Sequence, residues 1–142
     1  MQVDLDNIQQ AVYVALNTNA MSTALGGTGK IYDRVPTGFK PTYPYITFGV
    51  PVTAPQHNMD TAWMDMRFQV DVWTRDSATA TGKKKCYELQ NLVRSLVDRR
   101  RLTITGANHL YTQEVTITIM DGGDGQTWHG VQVFAIGASP AL

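Results

Sequence analysis

The sequence holds a single cysteine, Cys86, so it can close no internal disulfide. A disulfide framework of the secreted kind is thereby excluded, and the chain suits a reducing cytosol. Charge is scarce as well: Asp, Glu, Lys and Arg make up 17% of the residues, against 43% hydrophobic ones. That balance excludes an intrinsically disordered chain, which is rich in charge and poor in apolar residues. It leaves much of the surface neutral, as suits a protein that meets partners. Neither sign predominates. Twelve basic residues face 12 acidic ones, so the positive footprint of a dedicated nucleic-acid binder is missing. Zero net charge also removes one defence against self-association.

No apolar run nears the roughly 20 residues needed to span a membrane. Met1 to Asp6 shows neither the basic nor the apolar segment of an export signal. The expectation is a soluble protein, made and used without export and without a membrane partner. Its 142 residues make about one domain, read here as a single unit over 1–142. A chain near that length buries about 70% of its unfolded surface, enough for a real core.

The patterning predicts an α+β fold. Leu5, Ile8, Val12 and Leu16 recur at helical spacing over residues 4–18, with Asp4 or Asp6 at the start. Residues 20–25 read as a turn leading into the glycines of 26–29. Ile31–Val35 and Tyr45–Val50 read as short strands, with Pro36, Pro41 and Pro44 between them, and 51–61 as a loop. From Trp63 to Thr74, apolar and polar residues alternate strictly, which predicts a strand with one buried and one wet face. Its length, roughly 40 Å when extended, exceeds the usual strand. A strand that long is expected to overrun the sheet, bend at a bulge, or form one arm of a projecting hairpin. Cys86, Leu89, Leu92, Val93, Leu96 and Val97 share an arc of about 140° on a second helix ending near Arg100. Leu102–Thr105 is a possible strand. Leu110–Met120 and Thr127–Gly137 flank a glycine-rich turn and predict a long closing hairpin. In the first arm, Tyr111, Gln113, Val115, Ile117 and Ile119 would share a face. A mainly antiparallel sheet with helices on one face follows.

Chemistry-bearing patterns are weak. Gly26-Gly27-Thr28-Gly29-Lys30 departs from a phosphate loop: Ala24 stands where its first glycine belongs, and Ile31 follows the lysine. Asp121 and Asp124 lack the twelfth-position glutamate and flanking helices of a calcium loop, and read as a hairpin turn. His57, His109 and His129 have no metal-ligand spacing, although His109 and His129 could approach across the last hairpin. Cys86 lies on an apolar arc, a core position. Asp65 and Asp71 stand too far apart for an acid–base pair. No catalytic residue, cofactor site or metal site is expected, and the chain is read as a non-enzyme. Arg99-Arg100-Arg101 suits a helix C-terminus. Lys83, Lys84 and Lys85 stand near a helix start, where the dipole opposes them. Two readings stay open for these lysines: a solvated face, or contact with passing DNA or an acidic partner surface.

Several segments in order carry a resemblance. They are Lys30-Ile31-Tyr32, Pro36, Pro44-Tyr45-Ile46-Thr47-Phe48 and Arg67-Phe68-Gln69-Val70-Asp71-Val72-Trp73, then a helix and a closing hairpin. Over residues 5–137 this resembles the tail completion family of siphophages, also called tail-to-head joining proteins and related in fold to tail terminators. The resemblance implies a bacteriophage structural protein, assembled in the bacterial host cytoplasm and carried in the virion. It implies a ring, commonly a hexamer, at the head-proximal end of the tail tube. That ring ends tube growth and docks to the head–tail connector protein. The partners implied are further copies of itself, the tail tube protein and the connector protein. The expected contact residues are Gln56, His57, Asn58, Met59, Asp60 and Trp63 and the last hairpin, with Lys83, Lys84 and Lys85 facing DNA or a partner. The alternatives are a tail tube or connector adaptor subunit, or a small ligand-binding domain or enzyme with converging polar groups.

Overall fold

A computed structural model describes residues 3–57, 62–79 and 81–141, with the backbone alone for 53–57 and 62. Among the described residues are three helices and six strands: α1 (Leu5–Leu16), α2 (Asn19–Leu25), β1 (Ile31–Tyr32), β2 (Tyr45–Phe48), β3 (Val52–His57), β4 (Ala62–Arg75), α3 (Gly82–Val97), β5 (Ala107–Asp121) and β6 (Thr127–Pro140). The fold is α+β, with a mostly antiparallel sheet, helices on one face and a closing hairpin. No helix among the described residues is long and apolar enough to cross a membrane.

The first helix follows its apolar spacing, burying Ile8, Ala11, Val12 and Leu16. The turn expected over 20–25 is instead α2. Thr18 caps it by accepting a hydrogen bond from the Met21 amide at 3.2 Å. Gly26, at φ 80°, ends it in the left-handed conformation that a side chain disfavours. Between cap and stop, Met21 and Leu25 lie four residues apart and are both buried, which anchors so short a helix.

The sheet runs β1-β2-β4-β6-β5, with β3 also on β4. Only β1 and β2 pair in parallel; β2–β4, β3–β4, β4–β6 and β5–β6 are antiparallel. This topology explains why β4 is 14 residues long. One of its edges serves two short strands in succession: β2 against Val70–Trp73 and β3 against Ala62–Arg67. Its other edge pairs with β6 from Met64 to Arg75. The length of β4 is thus used within its own sheet, as one arm of the β3–β4 hairpin and as the partner of β6. Residues 52–57, expected as loop, form β3 despite Pro55. Proline has no amide to give, and an edge strand tolerates that. Gly49 makes the step between the two short strands, donating its amide to the Gln69 carbonyl at 3.0 Å.

Even-numbered residues of β4 face the helices. Met66, Phe68, Val70 and Val72 are fully buried, with Phe134 and Ile136 of β6 beside them and Leu89, Val93 and Val97 of α3 in the same core. The amides of Gln90 and Gln132 tie the layers: Gln132 Nε2 donates to the Gln90 carbonyl and Gln90 Nε2 to the Thr118 carbonyl, both at 3.0 Å. Gly82 opens α3 where it crosses the end of β4. A Cβ there would stand 2.7 Å from the Arg75 carbonyl carbon and 2.8 Å from Trp128 Cδ1. Close approach, rather than helix propensity, accounts for that glycine.

Leu102–Thr105 is not a strand. Leu102 and Ile104 are buried, so their alternation marks two anchors in a connection. In β5, bulges between His109 and Tyr111 and between Glu114 and Thr116 each reverse the alternation. Ile117 and Ile119 therefore face the helices, whereas Tyr111 and Gln113 face away, which corrects the single face expected for them. Val115 is left exposed at a bulge. The hairpin turn is held by Asp124, which accepts from the amides of Gln126 and Thr127 at 2.9 and 2.7 Å and from the Thr127 hydroxyl at 2.6 Å.

Candidate assembly surfaces

The face of the sheet turned away from the helices is built from odd-numbered β4 and β6 residues. The β4–β6 register sets Trp73 against His129. Their rings lie parallel, with centroids 3.8 Å apart. Trp73 also stacks on Tyr45 and donates from Nε1 to Thr47 Oγ1 at 2.9 Å. Tyr43 and Tyr32 continue the aromatic row at 5.2 and 6.0 Å from Tyr45. Burial first, then the neighbouring Tyr43, pushes the Tyr45 phenol up to about 12. His129 Nε2 lies 2.8 Å from Asp71, whose carboxylate also accepts from Gln69 Nε2 at 2.8 Å. Asp71 is therefore buried on the face predicted to be wet. The row is a partly apolar surface in which Trp73, Thr47, His129, Asp71 and Gln69 hydrogen-bond among themselves.

At the other end of this face, Trp63 meets Tyr111 edge-on at 6.3 Å. The Tyr111 hydroxyl donates to Asp65, which is also paired with Arg67 at 2.7 Å. Burial, then the Asp65 hydrogen bond and charge, pushes the Tyr111 phenol up to about 12. Gly137 leaves room for that ring, since a Cβ there would overlap it. Of the other contact residues expected from sequence, Gln56 and His57 lie in β3, where only the backbone is described. Asn58, Met59 and Asp60 lie outside the described residues.

The lysine run forms the first turn of α3. Lys83 and Lys84 are exposed and Lys85 half-buried. Lys83 Nζ lies 5.7 Å from the centre of the Trp128 ring, a cation–π contact that gives it a local role. Lys30, from the glycine-rich run, donates to the Leu25 carbonyl at 2.8 Å and so closes the end of α2.

The two histidines expected to approach each other do not. His109 stands opposite Ala138 and His129 opposite Met120, at different ends of the hairpin. His109 contacts the Thr112 hydroxyl at 2.6 Å; burial first, then the charge of Arg101, lowers its pKa. Among the described residues, no three His, Cys, Asp or Glu side chains gather as a metal site.

One further feature has no signal in the residue pattern: a cleft between the exit of α3 and β5. Its volume is about 510 Å³ and its walls include Arg99, Arg100, Arg101 and Leu110. Arg99 sits at φ 55° and donates its amide to the Thr112 carbonyl at 3.0 Å, while Arg100 Nε reaches back to the Ser95 carbonyl at 3.1 Å. The helix-end role read for these arginines is thus met by Arg100, and the three together also line a surface.

Residues 10–138 match the family described as "Tail completion protein gp17". The chain belongs to that family. It is a structural protein of a bacteriophage tail. No curated protein matches it. Among solved structures, a chain from the "Virion of native gene transfer agent (GTA) particle" superposes with a TM-score of 0.78. The two are 22% identical, and the match covers 93% of this tail completion protein and 94% of that chain. At that identity the likeness is one of fold.

Proposed function

We propose that this tail completion protein forms a closed ring, a hexamer, on the head-proximal end of a siphophage tail tube. The ring ends tube growth and presents a docking surface to the head–tail connector protein. The observation that carries this reading is the family match over residues 10–138. The likeness in fold to a chain of a phage-like particle supports it. Such a protein needs contacts and no chemistry, and the whole chain, 1–142, acts as one unit in making them.

Closure after a fixed rotation requires a heterologous interface, with two different patches on each subunit. Residues 56–60 with Trp63 are the part we assign to the tube or a neighbouring subunit. Lys83, Lys84 and Lys85, at the opposite end of the sheet, are the residues we assign to DNA or an acidic partner.

Adding the purified protein to polymerising tail tube protein tests the reading. Tubes should stop lengthening and then join heads, and a chain lacking residues 56–60 should cap them poorly. Self-polymerisation into open tubes would instead mark a tube subunit. Tubes that grow on unaffected would remove the capping role.

A further inference from the structure

Two clefts at opposite margins of the sheet are lined by opposite charge. At the β5 margin lies the cleft of Arg99, Arg100 and Arg101, with no carboxylate among its described lining residues. At the β1–β2 margin, under the outer face of α1, lies a cleft of about 430 Å³. It holds Asp6 and Asp33 beside Tyr13 and Phe48, with no cation among its described lining residues. Arg34 lines the next depression, on the side of the aromatic row. The two clefts, of opposite sign, thus lie at opposite ends of the strand order.

Each margin also exposes large apolar side chains. Leu110, Val115 and Met120 are about half exposed along β5, and Val50 and Val52 stand 90% and 68% exposed beside β2 and in β3. Exposed apolar residues along a 15-residue edge strand are a hazard for a free monomer unless something covers them. Strand addition is not the natural cover. The outward Thr112 carbonyl already takes the Arg99 amide, the Glu114 amide donates to Asp98 at 2.7 Å, and the Thr118 carbonyl takes Gln90. Over residues 112–118, three backbone groups that strand addition would need are thus already taken within the subunit, which favours contact through side chains there.

We infer that a second copy of this chain covers it: the Asp6–Asp33 cleft of one subunit docks on the Arg99–Arg101 cleft of the next. Complementary patches on opposite margins make each contact head-to-tail, the arrangement that closes a ring. This assignment rests on the ring reading above and names its subunit contact. It leaves residues 56–60 and the lysines free for the tube, the connector or DNA.

Charge exchange tests it, with oligomer formation read in solution and on isolated tail tubes. Three chains are compared with the wild type: Arg100→Asp with Arg101→Asp, Asp6→Lys with Asp33→Lys, and all four changes together. Each two-site variant should lose subunit association at least about tenfold, and the four-site variant should recover most of it. Thermal melts check the fold. Where a reversal lowers the melt, Arg100→Gln with Arg101→Gln and Asp6→Asn with Asp33→Asn replace it, with a smaller loss expected in the same direction. Two-site variants that form wild-type rings would overturn the contact and leave the ring intact, even if they lost binding to DNA or the connector. A four-site variant no better than its parents would overturn it too. A wild type that forms no ring, alone or on tubes, would remove the ring reading and this contact with it.

Discussion

The imidazole of His129 lies flat on the indole of Trp73, with the ring centroids 3.8 Å apart and the planes 8° apart. The two residues are direct partners in the β4–β6 ladder, and His129 also meets the buried Asp71. Trp73→Ala and His129→Ala should each lower stability by about 1–3 kcal/mol. A double-mutant cycle by urea denaturation should give a coupling of about 0.5–1.5 kcal/mol. Strictly additive losses would mean that the stack contributes nothing beyond the area it covers.

α3 sits so close to β6 that Gly130 has no room for a side chain. A Cβ there would stand 2.5 Å from Gln90 Nε2 and 2.7 Å from Cys86 Sγ. Gly130→Ala should destabilise by about 1–3 kcal/mol, because the helix must lift from the sheet. Gly27→Ala is the contrast, since its Cβ would meet only Lys30 Cδ at 3.9 Å. That change should be neutral or stabilise by about 0.4–1 kcal/mol. Equal melting shifts for the two would contradict the close docking.

Burial pushes the Cys86 thiol up to about 11, only partly offset by a hydrogen bond with Thr74. At pH 8 the folded protein should resist a thiol reagent, and labelling should follow opening of the α3–sheet contact. Immediate labelling of the native chain would show Cys86 to be accessible.

The hydrogen bonds from the Thr127 side chain and from the Gln126 and Thr127 amides hold the Asp124 carboxyl down at about 2, below its ordinary 3.8. A depressed folded pKa means that the stabilisation is full above the unfolded value. It is lost as pH falls from about 4 through about 2. An NMR titration should show the Asp124 midpoint near 2, and Asp124→Asn should remove this contribution to the acid-dependence of unfolding. A midpoint at the ordinary value would mean that the turn does not hold the carboxylate.

Much of this architecture was legible in the residues. The alternation from Met64 to Val72 and the apolar arc of α3 reflect burial directly, so pattern and structure agree there. Register was less accessible. Pro55 argued for a loop, yet β3 forms because an edge strand needs no amide from it. The β5 bulge between Glu114 and Thr116 puts Tyr111 and Ile117 on opposite faces, and no composition signal marks it. α2 could have been read from Thr18 and Gly26, a cap and a stop around two anchors. The surfaces were the least visible part. The arginine cleft exists only because the exit of α3 runs beside β5, and the Trp73–His129 stack only because the register pairs them across 56 residues of chain.

The central claim is the closed ring, and light scattering on the purified protein, alone and with isolated tail tubes, tests it most directly. A closed hexamer gives a species near six times the 15.7 kDa chain mass, either free or formed only on tube ends. A chain that stays monomeric in both conditions would contradict it.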